Sequence, residues 1–376
     1  MADGGKGKGL EGVVAAQTSI SDIDGRQGRL FYAGYDIADL AEHATFEETI
    51  HLLHHLELPT RAQLDEVTAA LRAEQRVDDA TLALISSLGG DANPMTVLRT
   101  VLSAEAARDP EVDDDSDAAN LRKAYRLIAL TPQVIAAFHR LRTGADAVPP
   151  REDLSLAGNF LYALTGKEPD LQQARDFDRA MVLYADHTMN ASTFAGRVAA
   201  ATLADMYAAV TAAVATLQGP LHGGAIEQVR RMLDDIGSAD RAPQWVRQRL
   251  ARKQKVMGFG HRVYKTWDPR ATVLRQMSQR TGAQVGDTHW FDISERIQQT
   301  VMEEKGLYPN VDFYSASLYS ALGIPPDLYT PLFATSRMSG WTAHIREQYA
   351  DNRLIRPDSE YIGPGPRSYE PIGQRG

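Results

Sequence analysis

Three polar segments in the second half of the chain could carry chemistry, because each interrupts a helical pattern with glycine, proline or asparagine. They are residues 219–224, 255–265 and 308–313. Glycines on both sides of His222 let backbone come close to a ligand, and the amides of a following helix favour a neutral imidazole. A neutral His222 could donate an N–H to a carbonyl oxygen. A histidine in an ordinary turn at the start of a helix fits the same pattern.

The second segment combines a glycine pair with basic side chains. Gly258 and Gly260 lack the third glycine of a dinucleotide fingerprint and follow no predicted strand, which excludes a Rossmann site. Lys255, Arg262 and Lys265 surround the glycines and suit an anionic, phosphate-bearing ligand. A basic surface loop would have the same composition.

The third segment ends in Asp312, which stands at the start of a predicted helix. An aspartate at this place is often an N-cap. Alternatively, Asp312 is a general base that projects into a cleft between two aromatic side chains, where partial desolvation raises its basicity. The residue pattern is compatible with both interpretations.

Other polar residues do not form a metal-binding pattern. Glu48 and His51 make one Glu-x-x-His pair, whereas di-iron bundles need two pairs and two further glutamates. We therefore interpret His51, His54 and His55 as structural or surface residues. The acidic run 111–117 lacks the spacing and the glycine of a calcium loop, and the chain has no cysteine for a thiolate zinc or iron–sulfur site. No metal is expected.

Helices are the predicted scaffold for these segments. Thr45 with Glu48, and Thr60 with Gln63, are capping boxes, and Asn93-Pro94 is an N-cap followed by proline. Further helices are predicted over 121–141 (with a kink or break at Pro132), 154–164, 171–184, 192–217, 224–236, 242–253, 269–280, 288–305, 312–322 and 326–349, with Gly237, Gly282 and Gly306 as C-terminal caps.

A small β-ribbon is predicted at the N-terminus, and the composition changes later in the chain. Residues 13–20 and 29–32 flank Asp24-Gly25, a turn dipeptide.

After Gly219-Pro220 the helices become shorter and more basic, which indicates a smaller module over about 221–324. The tail 363–376 is rich in glycine and proline and is expected to be extended or mobile.

Composition excludes several classes of protein. With 376 residues, 43% hydrophobic and 24% charged, the chain is of ordinary globular type with two or three domains. A net charge of −9 argues against a nucleic-acid partner. Residues 1–12 lack the apolar run of a signal peptide, and 198–217 contains Asp205, so no membrane segment is expected. The expected location is the cytoplasm.

Five fragments in order resemble the citrate synthase family, in the short form of archaea and many bacteria. The resemblance runs from about Leu10 to Gly363. The fragments are ADH at 185–187 with NASTF at 190–194, GPLHGGA at 219–225, GFGHRVY at 258–264, DPR at 268–270 and NVD at 310–312. Each fragment is weak by itself, but the five in this order are specific.

The resemblance implies an all-α homodimer with a large domain (1–220 and 325–376), a small domain (221–324) and an active site in the cleft between them. The implied reaction condenses acetyl-CoA with oxaloacetate and hydrolyses citryl-CoA to citrate and CoA. By resemblance, Asp312 is the base, His222 hydrogen-bonds the thioester oxygen, and His261 polarises and protonates the oxaloacetate ketone.

The resemblance also implies the substrate-binding residues. The oxaloacetate ligands are His187, Arg270, Arg337 and, from the partner subunit, Arg356. The implied CoA contacts are the loop Val256, Met257, Gly258, Phe259 and Gly260, with Lys255, Arg262 and Lys265 as candidates for the phosphates. No metal or redox cofactor is implied, because the chemistry needs none.

Two alternatives remain at this point. A 2-methylcitrate synthase would use propionyl-CoA with the same three catalytic residues, and one extra methylene changes binding by only about 1–3 kcal/mol. The segment 185–194 favours citrate synthase, although dual specificity is possible. A catalytically silent scaffold would be expected to have lost at least one of these groups, and none is missing.

Overall fold

The computed structural model describes residues 8–10 and 12–375, so the expectation for residues 1–12 falls mostly outside it. The described part has sixteen α-helices and one small sheet near the N-terminus, which confirms the all-α prediction. Within this part, every helix is too short or too polar to cross a membrane. Residues 351–375 follow the last helix and contain only a 3-10 turn, Ile372–Gln374.

The N-terminal sheet has three antiparallel strands, β1 (Ser21–Asp24), β2 (Arg29–Tyr32) and β3 (Tyr35–Asp36). The prediction for β2 is confirmed, but the first strand predicted at 13–20 is wrong. The turn over residues 25–28 is short, so β2 can pair only with the four residues just before it. Turn position, rather than the apolar run, therefore set the register.

Six helices follow the sheet: α1 (Ile37–His43), α2 (Phe46–His55), α3 (Arg61–Ala73), α4 (Asp79–Ser87), α5 (Pro94–Glu105) and α6 (Asp117–Arg142). Both capping boxes and the Asn93 cap are confirmed. The short helices α1 and α4 were not predicted. Helix α6 passes through Pro132 without a break. Packing of α5, α7 and α16 around α6 offsets the roughly 3 kcal/mol that an internal proline costs.

The next four helices are α7 (Leu156–Thr165), α8 (Leu171–Tyr184), α9 (Ala191–Ala200) and α10 (Met206–Leu217). The single helix predicted over 192–217 is wrong, because the chain turns between α9 and α10. Leu203 there has a φ of 63°. Asp205 is the N-cap of α10 and accepts the Ala208 N–H, so it lies at a helix start rather than inside a helix.

The last six helices are α11 (Ala225–Ile236), α12 (Ala242–Ala251), α13 (Pro269–Val285), α14 (His289–Lys305), α15 (Val311–Ala321) and α16 (Tyr329–Ala350). Gly237 and Gly306 are left-handed caps as predicted. Gly282 is not a cap: α13 continues to Gly286, whose φ is 74°. Helix α16 is buried over most of its length and packs against α2, α5, α6 and α8–α11, so it forms the centre of the core.

Candidate functional site

The fold brings the three predicted catalytic side chains toward one another although they lie far apart in the sequence. His222 lies between α10 and α11, His261 lies between α12 and α13, and Asp312 is in the first turn of α15. The rings of His261 and His187 are 5.3 Å apart. The charge of Arg337 influences the pKa values of His222, His187 and Asp312. The three predicted catalytic residues therefore lie close to His187, Arg270 and Arg337.

Asp312 is a buried carboxyl group at the start of α15. The N-cap of this helix is Asn310, whose side chain accepts the Asp312 N–H at 3.1 Å, so the interpretation of Asp312 as the cap is wrong. Its Oδ1 atom is buried without a hydrogen-bond partner. Burial raises the pKa of Asp312 to about 7, although Arg270 and Arg337 oppose the shift. Such a group can accept a proton near neutral pH.

His222 forms a hydrogen bond that the sequence did not predict. Its Nε2 lies 2.8 Å from Ser192 Oγ, and the same oxygen accepts Trp341 Nε1–H at 3.1 Å. Burial, followed by the charge of Arg337, lowers the pKa of His222 to about 4. The expected neutral imidazole is thus favoured by burial and by a nearby guanidinium.

The hydroxyl of Ser192 has one proton and two possible acceptors, Asn190 Oδ1 at 2.7 Å and His222 Nε2. Asn190 Oδ1 already accepts the backbone amides of Ser192 and Thr193. The Ser192 hydroxyl can donate to only one of these two acceptors at a time. When it donates to His222 Nε2, the ring proton of His222 is on Nδ1.

His261 is fixed in the other tautomer. Its Nδ1 accepts the amides of Val263 at 3.0 Å and Tyr264 at 3.2 Å, so the ring proton is on Nε2. Burial and Arg270 lower the pKa of His261 to about 4. The ring of His261 can therefore act as a neutral hydrogen-bond donor.

The predicted oxaloacetate ligands differ in their electrostatic surroundings. Arg270 is buried and forms an ion pair with Asp268 at 2.8 Å. Arg337 is also buried and donates its Nε–H to Tyr184 O at 2.8 Å. Among the described residues no carboxylate forms an ion pair with it, and the charge of Asp186 acts on it only from a longer distance. A buried guanidinium without a directly paired carboxylate favours an anionic ligand. His187 lies beside them, with Nε2 3.2 Å from Tyr264 Oη.

Arg356 is the predicted ligand that the single chain does not bring into this site. It lies beyond the end of α16 in the exposed tail, and its side chain is 76% exposed. Its nearest carboxylate is Asp358, at 3.7 Å.

The predicted CoA loop is attached to the segment that leads into α15. Phe259 pairs with Pro309 as an isolated β-bridge, and Gly258 O accepts the Asn310 N–H at 2.9 Å. Gly258 has a φ of 80°, and a Cβ there would lie 2.8 Å from Phe313 Cδ2. Lys255, Arg262 and Lys265 are exposed around this loop.

Comparisons with known proteins show similarity over nearly the whole chain. The family described as citrate synthase, C-terminal domain, matches residues 9–358. Citrate synthase 2 of Bacillus subtilis is 50% identical over 369 residues, which are 98% of this chain and 99% of that protein. The citrate synthase of Haloferax volcanii is 49% identical over 373 residues, 98% of each chain.

The chain belongs to the citrate synthase family. Solved structures agree: citrate synthase from Pyrobaculum aerophilum is 40% identical with a TM-score of 0.92, over 98% of this chain and 95% of that one. The citrate-synthase-like fold and the enzyme class predicted from the sequence are therefore confirmed. The protein is a condensing acyltransferase that forms citrate. A 2-methylcitrate synthase of Mycobacterium tuberculosis is 42% identical over 356 residues, 95% of this chain and 90% of that protein. This identity is lower than that of the two citrate synthases above, so the 2-methylcitrate synthase alternative is not better supported.

Three residues of this citrate synthase family site were not identified as functional from the sequence. Ser192 and Asp268 stand inside fragments that carried the resemblance, so their position was a usable signal. Tyr184 was not signalled: it ends α8, donates its hydroxyl to Ser315 Oγ at 2.8 Å and lies next to Asp312.

Proposed function

We propose that Asp312, His222 and His261 carry out the citrate synthase reaction in this cleft. The observation that carries the proposal is a carboxyl group of raised pKa beside two buried guanidinium groups and two neutral imidazoles. A thioester methyl is a weak carbon acid, so a base and a hydrogen-bond donor must act together on acetyl-CoA.

In the first step, Asp312 takes a proton from the methyl group while the Nδ1–H of His222 hydrogen-bonds the thioester oxygen. The resulting enol carbon attacks the ketone carbon of oxaloacetate, forming the new carbon–carbon bond. His261 hydrogen-bonds the ketone oxygen through its Nε2–H and donates this proton as charge develops there. The proton that Asp312 took from the methyl group then restores the neutral ring, so the condensation needs no net proton. Water then cleaves the thioester of citryl-CoA, releasing citrate and CoA.

The arginines would hold the two carboxylates of oxaloacetate. Among the described residues no carboxylate is directly paired with Arg337, and Arg270 keeps guanidinium N–H groups that Asp268 does not use. The related enzyme of Thermoplasma acidophilum, 33% identical with a TM-score of 0.92 over 98% of this chain and 99% of that one, was solved with carboxymethyl coenzyme A and oxaloacetate. That complex supports the assignment of both ligands to this cleft.

The acyl group is best tested by direct comparison of two substrates. Thiol release from acetyl-CoA and from propionyl-CoA, each with oxaloacetate, should show higher kcat/KM for acetyl-CoA. A clear preference for propionyl-CoA would overturn the choice of acetyl-CoA, and no thiol release from either substrate by the folded protein would overturn the proposed function.

The proposal includes a homodimer in which Arg356 reaches the partner's active site. Its exposure in the single chain supports this arrangement. Arg356→Ala and Asp312→Asn subunits should each be nearly inactive, but mixed dimers should regain activity, because one of the two sites then has both native residues. Inactive mixed dimers would place Arg356 in its own subunit's site, and an active Arg356→Ala homodimer would place it outside both sites.

The remaining parts of the proposal concern domains, cofactors and location. Packing of α11 with α15 and of α12 with α14 supports a small domain at 221–324 beside a large one at 1–220 and 325–376.

No metal or redox cofactor is proposed, so extensive dialysis against a chelator should leave the rate unchanged. The cytoplasm remains the proposed location.

A further inference from the structure

The carboxylate of Asp268 joins two parts of the site that come from different segments. It lies just before α13, is 1% exposed, and accepts the backbone amide of Arg270 at 3.1 Å and its Nε–H at 3.0 Å on one oxygen. The other oxygen accepts Arg270 Nη2–H at 2.8 Å and the backbone amide of Val311 at 3.2 Å. Val311 is the first residue of α15, which carries Asp312.

These four hydrogen bonds use all the acceptor positions that a carboxylate offers. Two of the five guanidinium N–H groups of Arg270 go to Asp268, so three remain for a ligand. The helix start at Val311 gains a second side-chain acceptor beside the Asn310 cap. Asp268 therefore does more than cap α13: its buried carboxylate also binds the guanidinium of Arg270 and the first amide of α15.

We propose that Asp268 is a positioning residue: its carboxylate holds Arg270 and the first turn of α15 as a single unit, so that the oxaloacetate site and the base Asp312 keep a fixed separation. The inference rests on the proposed roles of Arg270 and Asp312. It assigns to Asp268 no contact with either substrate.

The charge of Asp268 gives the proposal a readout that a purely structural residue would not change. Groups that face Asp312 are Arg270 and Asp268 at the start of α13, Arg337 on α16, Tyr184 on α8 and Tyr319 on its own helix. On the other elements packed against α15, Arg230 of α11 bonds Ser320 and Glu295 of α14 bonds Tyr314. Asp268 raises the pKa of Asp312, and Arg270 lowers it.

Asp268→Asn keeps the shape of the side chain but removes its charge and half of its acceptors. Loss of this charge leaves Arg270 uncompensated beside Asp312, which favours the ionised base. The fall of the rate on the acidic side of the pH–rate profile, the acid limb, should therefore move to lower pH by about one unit. Misplacement of Arg270 and Asp312 should lower kcat by about 10- to 100-fold, and oxaloacetate should bind about tenfold more weakly. Binding is measured without acetyl-CoA, by the fluorescence of the neighbouring Trp267.

Asp176→Asn is the matched control. Asp176 is also a fully buried aspartate that pairs with an arginine of α13, Arg280, and it accepts Thr281 Oγ1–H at 2.8 Å. This variant should lose stability without a shift of the acid limb or of oxaloacetate affinity. If Asp268→Asn behaves like Asp176→Asn, Asp268 is structural only and the proposal is wrong.

Asp268→Glu keeps the test decisive if the asparagine variant does not fold. The negative charge remains, so the acid limb should stay at the wild-type pH, while the longer side chain displaces Arg270 and weakens oxaloacetate binding. Wild-type affinity in this variant would overturn the positioning role. Because each result is a ratio to the wild-type enzyme, failure of the proposed function would show separately, as absence of thiol release in the wild type.

Discussion

Burial sets the charge state of each side chain that is proposed to react. The pKa values of His222 and His261 fall to about 4, whereas the pKa of Asp312 rises to about 7. Desolvation disfavours the charged form of each group, which explains the opposite directions. The site therefore has neutral hydrogen-bond donors and a base that is partly ionised at neutral pH, as enolisation of a thioester requires.

Replacement of the base should separate catalysis from stability. Asp312→Asn should lower kcat by about 10²- to 10⁴-fold, because a general base is lost, while oxaloacetate affinity stays nearly unchanged. A pKa raised by about three units corresponds to a cost of at most roughly 4 kcal/mol for keeping the native carboxylate ionised. The variant should therefore unfold at a higher temperature than wild type at pH 8. Turnover close to wild type would remove Asp312 as the base.

The pH dependence of the rate should also be set by Asp312. Asp312 must be ionised to accept a proton, so kcat/KM for acetyl-CoA should fall as the pH drops below about 7. Between the ordinary aspartate value and 7, the native state binds a proton that the unfolded chain has lost, so this group's contribution to stability decreases as the pH rises. Steady-state rates across pH 5–9, with a check that the enzyme stays folded, test this. A rate that is flat down to pH 5 would contradict the assignment.

At the scale of elements, the site is assembled from helix starts and the loops before them. Asp268 and Asn310 cap α13 and α15, while Asn190 caps α9 next to Ser192. Unpaired amides at these ends need side-chain acceptors, and the same polar residues orient the neighbouring functional groups. Such short polar clusters were readable in the sequence because they interrupt regular helical spacing.

The loop proposed to bind CoA, residues 256–260, gives a prediction at this scale. Gly258 and Gly260 both have a positive φ, 80° and 78°. A Cβ at Gly258 would meet Phe313, whereas no atom of the described residues lies within 4 Å of a Cβ at Gly260. Both alanine variants share the backbone strain, so their difference isolates the contact. Gly258→Ala should raise KM for acetyl-CoA several-fold more than Gly260→Ala does. Equal effects would mean that backbone strain alone accounts for the loss.

At the scale of the whole molecule, contacts cross the cleft between the two proposed domains. Lys265 donates its backbone N–H to Gly25 O at 2.8 Å, and Tyr264 contacts His187. The turn of the N-terminal sheet thus touches the loop that carries His261. This contact was not visible in the sequence, where the two segments are separated by more than half of the chain.

Ligands from both sides of a cleft imply closure on binding. We expect oxaloacetate to reduce the radius of gyration of the protein in solution, measured by small-angle X-ray scattering, because its proposed ligands Arg270 and Arg337 come from the two proposed domains. The Arg337→Gln variant should need a higher oxaloacetate concentration for the same change. An unchanged radius of gyration at saturating oxaloacetate would overturn the closure prediction.

Local signals in the sequence were sufficient for most helices, for the caps and for the family. Thr45 with Glu48 shows why, since both partners of a capping box lie within one turn. Asp205 shows where local signals were not sufficient. An aspartate in an alanine-rich run is compatible with the interior of a helix and with an N-cap, and only the tertiary structure, in which α9 and α10 both pack on α16, made it the N-cap of α10.

The residue types of the site were determined by the sequence alone, and their chemical states were not. The order of the fragments identified Asp312, His222 and His261 as candidates. Only the tertiary structure brought Ser192 to His222, buried Arg337 with no directly paired carboxylate among the described residues, and placed Asp268 between Arg270 and Val311. The physical reason is that protonation and tautomer depend on desolvation and on neighbours distant along the chain, which no local pattern contains.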